Sequence, residues 1–515
     1  MKKRPDILLL KPGSQKELYG ELSENSLTAI EPPLWAGLIA NFLRKRGYFV
    51  KIIDAEAEKL GPLRIVDRIS EINPLLVGIV VSGTNPSAST MNMLGVRAIL
   101  EEISKRDLPI KTIVAGLHPS ALPKRTMEEE KTDFVCEGEG FYTIAGLIEA
   151  MKDDDEKRGE FNIKGLWYRK DGKIIANKRA PLVNDLDGEL PFVSWDLLPM
   201  DEYRAHNWHC FQEQDQRREP YAVVYTSLGC PFKCHFCCIN TIFGEPGIRY
   251  RSPEKVIEEI DILVNQYGVK NIKIVDEMFV LNEKHVLKIC DLIIERGYKL
   301  NIWAYARINT VNEKLLRRLK EAGFTWLAYG IESGNDRVLK SVTKGITVER
   351  TKGVIKLTKD IGINVIGNYI LGLPEDDLAS MQDTIDLAIE LNCEFMNLYC
   401  ATAYPGSPLY DQAVRDGWRL PDIWAGYSPY SFEHLPLPTK YLKSVDVLRF
   451  RDEAYVKYYS SERYQRMIKK KFGQEVLDGI VKGLTRRLKR KYLGGTWGDE
   501  PASHIHVDSR TSGEI

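Results

Sequence analysis

The chain is 515 residues long, 43% hydrophobic and 28% charged, and its 72 basic and 72 acidic side chains cancel to a formal net charge of zero. Such a length exceeds one hydrophobic core and predicts about two to four domains. The balanced charge gives no pull towards nucleic acid or an anionic membrane, and no apolar run is long enough to cross a bilayer.

Residues 1–150 alternate apolar strands with amphipathic helices. Asp6–Leu10 reads as a buried strand, and Pro32–Arg46 as a helix with Pro33 near its start and Gly47 beyond its end. Phe49–Ile53, Leu75–Val81 and Lys111–Ala115 read as strands, and Arg64–Ile72 and Ala88–Lys105 as helices. The alternation predicts a parallel, doubly wound sheet, whose ligands bind at the carboxyl ends of the strands. Ser82-Gly83-Thr84, Gly116-Leu117-His118-Pro119 and Glu137-Gly138-Glu139 fall at those ends. Together with Pro32-Pro33, Asp54 and Val77-Gly78-Ile79, they make the stretch resemble the cobalamin-binding domain that precedes many radical S-adenosylmethionine (SAM) barrels. The resemblance implies that Ser82, Gly83, Thr84, Gly116, His118, Glu137 and Gly138 contact cobalamin. The D-x-H-x-x-G loop that sets a histidine on cobalt is missing. His118, which precedes a proline and has no acidic partner, is expected to bond its own loop instead.

Residues 151–219 change character. The charge run Lys152–Arg158 reads as a solvated loop, and Asp171-Gly172 as the tight turn of a hairpin between Leu166–Arg169 and Lys173–Ala176. The aromatic stretch Trp195–Phe211 contains His206, His209 and Cys210 but no distant ligand, so it is expected to bridge two domains and to roof a flat cofactor.

Residues 220–415 return to strand–helix repeats: strands at Tyr221–Thr226, Asn271–Val275, Asn301–Ala306, Trp326–Gly330, Asn364–Leu371 and Phe395–Ala403, with helices between them. Six repeats predict a partial (β/α)6 TIM-type barrel with its chemistry at the carboxyl strand ends. Directly after the first strand stands Cys230-Pro231-Phe232-Lys233-Cys234-His235-Phe236-Cys237. The C-x3-C-x2-C spacing fits neither paired zinc-finger cysteines nor the four-thiolate ferredoxin runs. It points to an iron–sulfur cluster with one open iron; a zinc site short of a ligand and three packed thiols are the alternatives. Nine cysteines, an odd number with only three clustered, do not suggest a disulfide framework, and the chain is expected to be cytoplasmic.

The cysteine motif with Phe236 resembles the radical SAM signature, and the strand ends match that family in order. The resemblance implies a [4Fe-4S] cluster on Cys230, Cys234 and Cys237. It also implies SAM contacts from Asp276 and Glu277 (amino group), Arg307 (carboxylate), Glu332 and Ser333 (ribose), and the stretch Gly367 to Pro374, with Gly367 and Gly372 (adenine). Cys238, Cys290, Cys393 and Cys400 read as core residues.

Beyond residue 416 a helical region carries Lys469–Lys471 and Arg486–Lys491, read as a solvated basic face, before a polar tail. Peripheral membrane contact through that face is a minor reading. Taken whole, the chain resembles cobalamin-dependent radical SAM enzymes. The expected activity is methylation of an unactivated carbon of a small molecule or lipid, with electrons from a donor such as flavodoxin or ferredoxin. A non-methylating cyclase or oxidoreductase is the alternative, and a cluster- and cobalamin-bearing redox sensor the distant one. The sequence names no catalytic side chain, and no nucleic-acid partner is expected.

Overall fold

The computed structural model describes residues 4–13, 28–83, 89–153, 161–212, 217–484 and 488–494. In the first unit, β1 (Ile7–Lys11), β2 (Val50–Asp54), β3 (Leu76–Val81), β4 (Lys111–Gly116) and β5 (Phe134–Cys136) form a parallel sheet. Leu8, Leu10, Val77 and Ile79 face one core, while Ile7, Leu9, Leu76 and Val80 face another. This two-sided burial explains why these strands read as unbroken apolar runs. The order β2-β1-β3-β4-β5 reverses direction at β1 and β3, so a crevice opens beyond their carboxyl ends.

The hairpin expected in the linker has a different home. β6 (Leu166–Lys170) and β7 (Lys173–Ala176) pair antiparallel onto β5 and continue the first sheet to seven strands. An uncovered parallel edge exposes unpaired backbone groups, which the hairpin satisfies.

The second unit is a six-stranded, wholly parallel sheet in the order β8 (Tyr221–Val224), β11 (Asn271–Ile274), β12 (Asn301–Ala306), β13 (Phe324–Glu332), β14 (Asn364–Leu371), β15 (Phe395–Cys400). Among the described residues β8 and β15 do not pair, so the barrel stays open. Its helices start as the sequence dictates: Ser252 caps Pro253–Tyr267 by accepting from the Lys255 N–H, and Asp377 with Ser380 forms a capping box on Leu378–Leu391.

The helices Ser444–Tyr459, Glu462–Phe472 and Gln474–Leu484 cover the β15 side. Three tyrosines dock them. Tyr458 donates to the Cys393 carbonyl at 2.7 Å, Tyr459 to Met396 at 2.7 Å and Tyr464 to Glu394 at 3.2 Å. The second basic run is no solvated helical face: Arg490 is buried and pairs with Asp452 at 3.1 Å, while Arg486 and Arg487 lie outside the described residues. No described helix is long and apolar enough to cross a membrane.

The aromatic stretch bridges the two units as expected, with the Ala29 N–H donating to His206 Nδ1 at 3.2 Å and Trp195 Nε1 to Glu259 at 3.0 Å, but it does not sit where a roof would. Trp208 packs edge-on against Trp303 and Trp326, with ring centroids 5.2 and 5.3 Å apart. Asn301, the first residue of β12, donates to the His209 carbonyl at 3.0 Å. The segment therefore floors the amino end of the barrel; the roof expected over a cofactor would lie at the other end. His209 is buried and His206 half-buried, and neither belongs to a metal-holding group among the described residues.

Candidate functional site

The short strands β9 (Ser227–Leu228) and β10 (Arg249–Tyr250) pair antiparallel and tie the base of the cysteine loop. Asp276 braces the start of that loop. Its carboxylate accepts from the Thr226 N–H and hydroxyl at 2.6 Å each, and from the Ser227 hydroxyl at 2.7 Å. Burial lifts its carboxyl to about 6 against those hydrogen bonds. Burial, aided by the neighbouring Asp276 charge, lifts Glu277 to about 7; its carboxylate accepts from the Gly229 N–H at 3.2 Å.

A cavity of about 1020 Å³ fills the half-barrel and reaches the first unit. That exceeds the usual span of one small-molecule site, roughly 300–1,000 Å³. Cys230, Cys237 and Phe236 border it, with Glu277, Arg307 and Glu332. Opposite stand Ser82 and Gly83 at the end of β3. A small adjoining pocket of about 60 Å³ shares Ser82, Gly83 and Glu277 and adds Gly116 and Asp276. Gly116 takes φ +130°, and a Cβ there would stand 2.2 Å from the Val81 carbonyl oxygen, so only glycine fits at this strand end.

The donor set suits the expected cluster. Arg307 points its Nη1 at Cys234 Sγ, 3.6 Å away, and lies 4.0 Å over the Phe232 ring. Among the described residues no three potential ligands converge on a single metal ion. A four-iron cube binds each thiolate at a different corner, so its ligands stand farther apart than those of one ion. No disulfide forms among the nine cysteines.

Glu332 is the strained residue of the site. The β13–β14 register slips between Gly330 and Glu332, and Glu332 takes φ +66°. Its carboxylate accepts from Lys344 Nζ at 2.6 Å, both side chains being buried. A Cβ on Gly330 would lie 2.4 Å from Glu332 Oε1 and 2.7 Å from Lys344 Nζ, so that glycine makes room for the pair. Lys344, 5.8 Å over the Phe236 ring, also borders the cavity. Sequence reasoning missed it because a helix, Asp336–Ser341, separates it from the strand end.

Several expected contacts lie elsewhere. His118 is buried, bonds Thr90 Oγ1 at 3.1 Å and packs edge-on to Trp424; burial drops its pKa to about 3. Glu137 accepts from Trp167 Nε1 at 2.9 Å and pairs with Arg179, and Gly138 faces that arginine. The Ser333 hydroxyl bonds Thr384 and accepts from the Asn335 N–H, anchoring the next helix. Gly367 faces the Tyr369 ring and Gly372 faces Val447, both away from the cavity. Thr84 lies outside the described residues. Cys400, expected in the core, is buried and also borders the cavity.

A doubly wound nucleotide-type unit set against an open half-barrel, with three thiols where they meet, defines a cofactor-using α/β enzyme. Residues 224–388 match the radical SAM superfamily and residues 25–148 the B12 binding domain. An uncharacterized methyltransferase of Pyrococcus horikoshii is 32% identical over 458 residues, 88% of this chain and 94% of that protein. The anaerobic magnesium-protoporphyrin IX monomethyl ester cyclase of Rubrivivax gelatinosus is 24% identical over 94% of this chain and 86% of its own. Two solved structures share the fold. The radical SAM methyltransferase TsrM of Kitasatospora setae aligns with TM-score 0.63 at 16% identity, over 80% of this chain and 76% of its own. The cobalamin-dependent SAM radical enzyme OxsB aligns with TM-score 0.60 at 20% identity, over 81% of this chain; the chain spans 56% of OxsB. The chain belongs to the cobalamin-dependent radical SAM enzymes. Its cofactors are an iron–sulfur cluster, SAM and cobalamin.

Proposed function

We propose that the protein methylates an unactivated carbon of a small molecule or lipid, and that the shared cavity is where the reaction occurs. The observation that carries this reading is the single void bordered by the cysteine loop on one side and the β3 strand end on the other. Cys230, Cys234 and Cys237 would hold the cluster. Glu332 would accept from the SAM ribose hydroxyls, while Lys344 and Arg307 would meet its carboxylate and Glu277 its amino group. Ser82, Gly83 and Gly116 would form a side-chain-poor ledge for cobalamin. Bound there, these cofactors supply radical generation and methyl transfer. The protein's own part is to fix both partners across one seam and keep water out. His118, turned into its own core, would not be among the residues that hold cobalamin.

The methyltransferase names among the relatives, including the cytidylyl-2-hydroxyethylphosphonate methyltransferase of Streptomyces wedmorensis and the hopanoid C-3 methylase of Methylococcus capsulatus, support methylation. The cyclase relative supports the second reading, ring formation. We take the protein to be cytoplasmic and to draw electrons from a flavodoxin or ferredoxin, with units at 1–150, 151–219, 220–415 and 416–515. Anaerobic turnover with SAM decides the chemistry: S-adenosylhomocysteine formed alongside 5′-deoxyadenosine is expected. 5′-Deoxyadenosine alone would overturn methylation in favour of the cyclase-type reading.

A further inference from the structure

The half-barrel interior is built in layers, because alternate residues of each strand face inward and neighbouring strands set them level. One layer runs Tyr305, Ala328, Ile366 and Phe395 through successive register pairs. The next layer towards the carboxyl ends is Gly330, Asn368 and Asn397. Ala328 is small, and that hollows the barrel at its level, while the room beside Gly330 is taken by the Glu332–Lys344 pair. Below, Trp208 stands 5.8 Å from the Phe395 ring, and Val476 and Ile480 of the helix Gln474–Leu484 wall the open side.

The two amides have a fixed orientation. Asn368 Nδ2 lies 3.1 Å from the Tyr329 carbonyl, which can only accept, so the amide nitrogen of Asn368 must face it. Asn368 Oδ1 then points at Asn397 and accepts from Nδ2 at 2.9 Å. That leaves Asn397 Oδ1 with no partner among the described residues, on a half-buried side chain bordering the cavity. An acceptor held at this depth calls for a donor.

Resting on the reading that SAM and cobalamin occupy the strand-end part of the cavity, we propose that the deeper part is the substrate pocket. It takes a molecule with a flat or cyclic apolar body, seated on the Tyr305–Phe395 layer, and one hydroxyl or amide N–H that donates to Asn397 Oδ1.

The test uses full-length protein, loaded anaerobically with its three cofactors, and two probes: 2-naphthol, which donates, and 2-methoxynaphthalene, which cannot. Fluorescence titration should show 2-naphthol binding about threefold to tenfold tighter, the worth of one neutral hydrogen bond. Asn397→Leu should erase that preference while leaving 2-methoxynaphthalene and SAM affinities unchanged. Ala328→Leu, which fills the apolar layer, should weaken both probes together and so tests the pocket even where the asparagine variant does not fold. A preference that survives Asn397→Leu overturns the inference, as does a loss of SAM affinity in that variant, which would assign the amide to the SAM site. Failure of the wild type to cleave SAM would strike the proposed function and leave the probe comparison standing.

Discussion

Glu332 concentrates the cost of this site. A non-glycine residue at positive φ sits at a register slip, and its carboxylate is tied to a buried lysine. Glu332→Ala should weaken SAM binding about tenfold to a hundredfold, the worth of roughly 1.5–3 kcal/mol for a charge-assisted hydrogen bond, without removing iron. Equilibrium binding of SAM to the reconstituted protein checks it. Lys344→Met should lower SAM affinity in the same assay and also leave Glu332 as a buried, unpaired carboxylate, so its thermal midpoint should fall below that of the wild type. Iron content separates these residues from the ligands. Alanine at Cys230, Cys234 and Cys237 together should abolish the roughly four irons per chain expected of a cube, whereas Cys238→Ala should retain them, its side chain being buried in the apolar core. At this scale the sequence was legible where spacing carries chemistry, as in the cysteine loop. It was not legible where a strand-end polar residue serves either as a ligand or as a brace. Asp276, Ser333 and Glu137 are all polar residues at strand ends, yet each is spent on a neighbouring segment.

At the scale of elements, the first turn of the cysteine loop hangs from Asp276. A carboxyl raised by burial binds its proton more tightly folded than unfolded. Its stabilising contribution is therefore complete below the ordinary carboxylate range and is lost as pH rises through about 6. The stability advantage of wild type over Asp276→Asn should accordingly shrink, by up to about 3 kcal/mol, between pH 4 and pH 7. Chemical denaturation of the cofactor-free protein at both pH values measures it; an advantage that grows with pH would contradict the assignment. The strands themselves were readable because burial on both faces leaves continuous apolar runs. The direction in which an element docks was not. Asp171-Gly172 announces a hairpin without announcing that β5 needs an edge partner, and the tryptophans near residue 208 announce packing without saying which end of the barrel they close.

At the scale of the molecule, a buried ion pair between Glu31 and Lys273 helps to hold the units together. Lys273 of β11 donates to both carboxylate oxygens of Glu31 at 3.0 Å, and Tyr221 of β8 donates to the same group at 3.1 Å. Lys11 at the end of β1 donates to the Glu31 carbonyl at 2.7 Å and pairs with Glu56 at 2.9 Å. Lys273→Met should cost about 3–5 kcal/mol, because it strands the Glu31 carboxylate in the interior; the double variant with Glu31→Leu should recover much of that loss. Differential scanning calorimetry of the four proteins reads the coupling.

The same seam governs what can be exchanged between relatives. Glu31 belongs to the amino-terminal unit, while the lysine and the tyrosine that neutralise and bond it belong to the barrel. A chimera grafting this amino-terminal unit onto a foreign barrel inherits an acid without its counter-ion unless the recipient already carries a cation and a donor at those two positions. These three residues form one set at which the two halves of a hybrid must match, alongside the Glu139–Arg249 pair that crosses the same boundary at 2.6 Å.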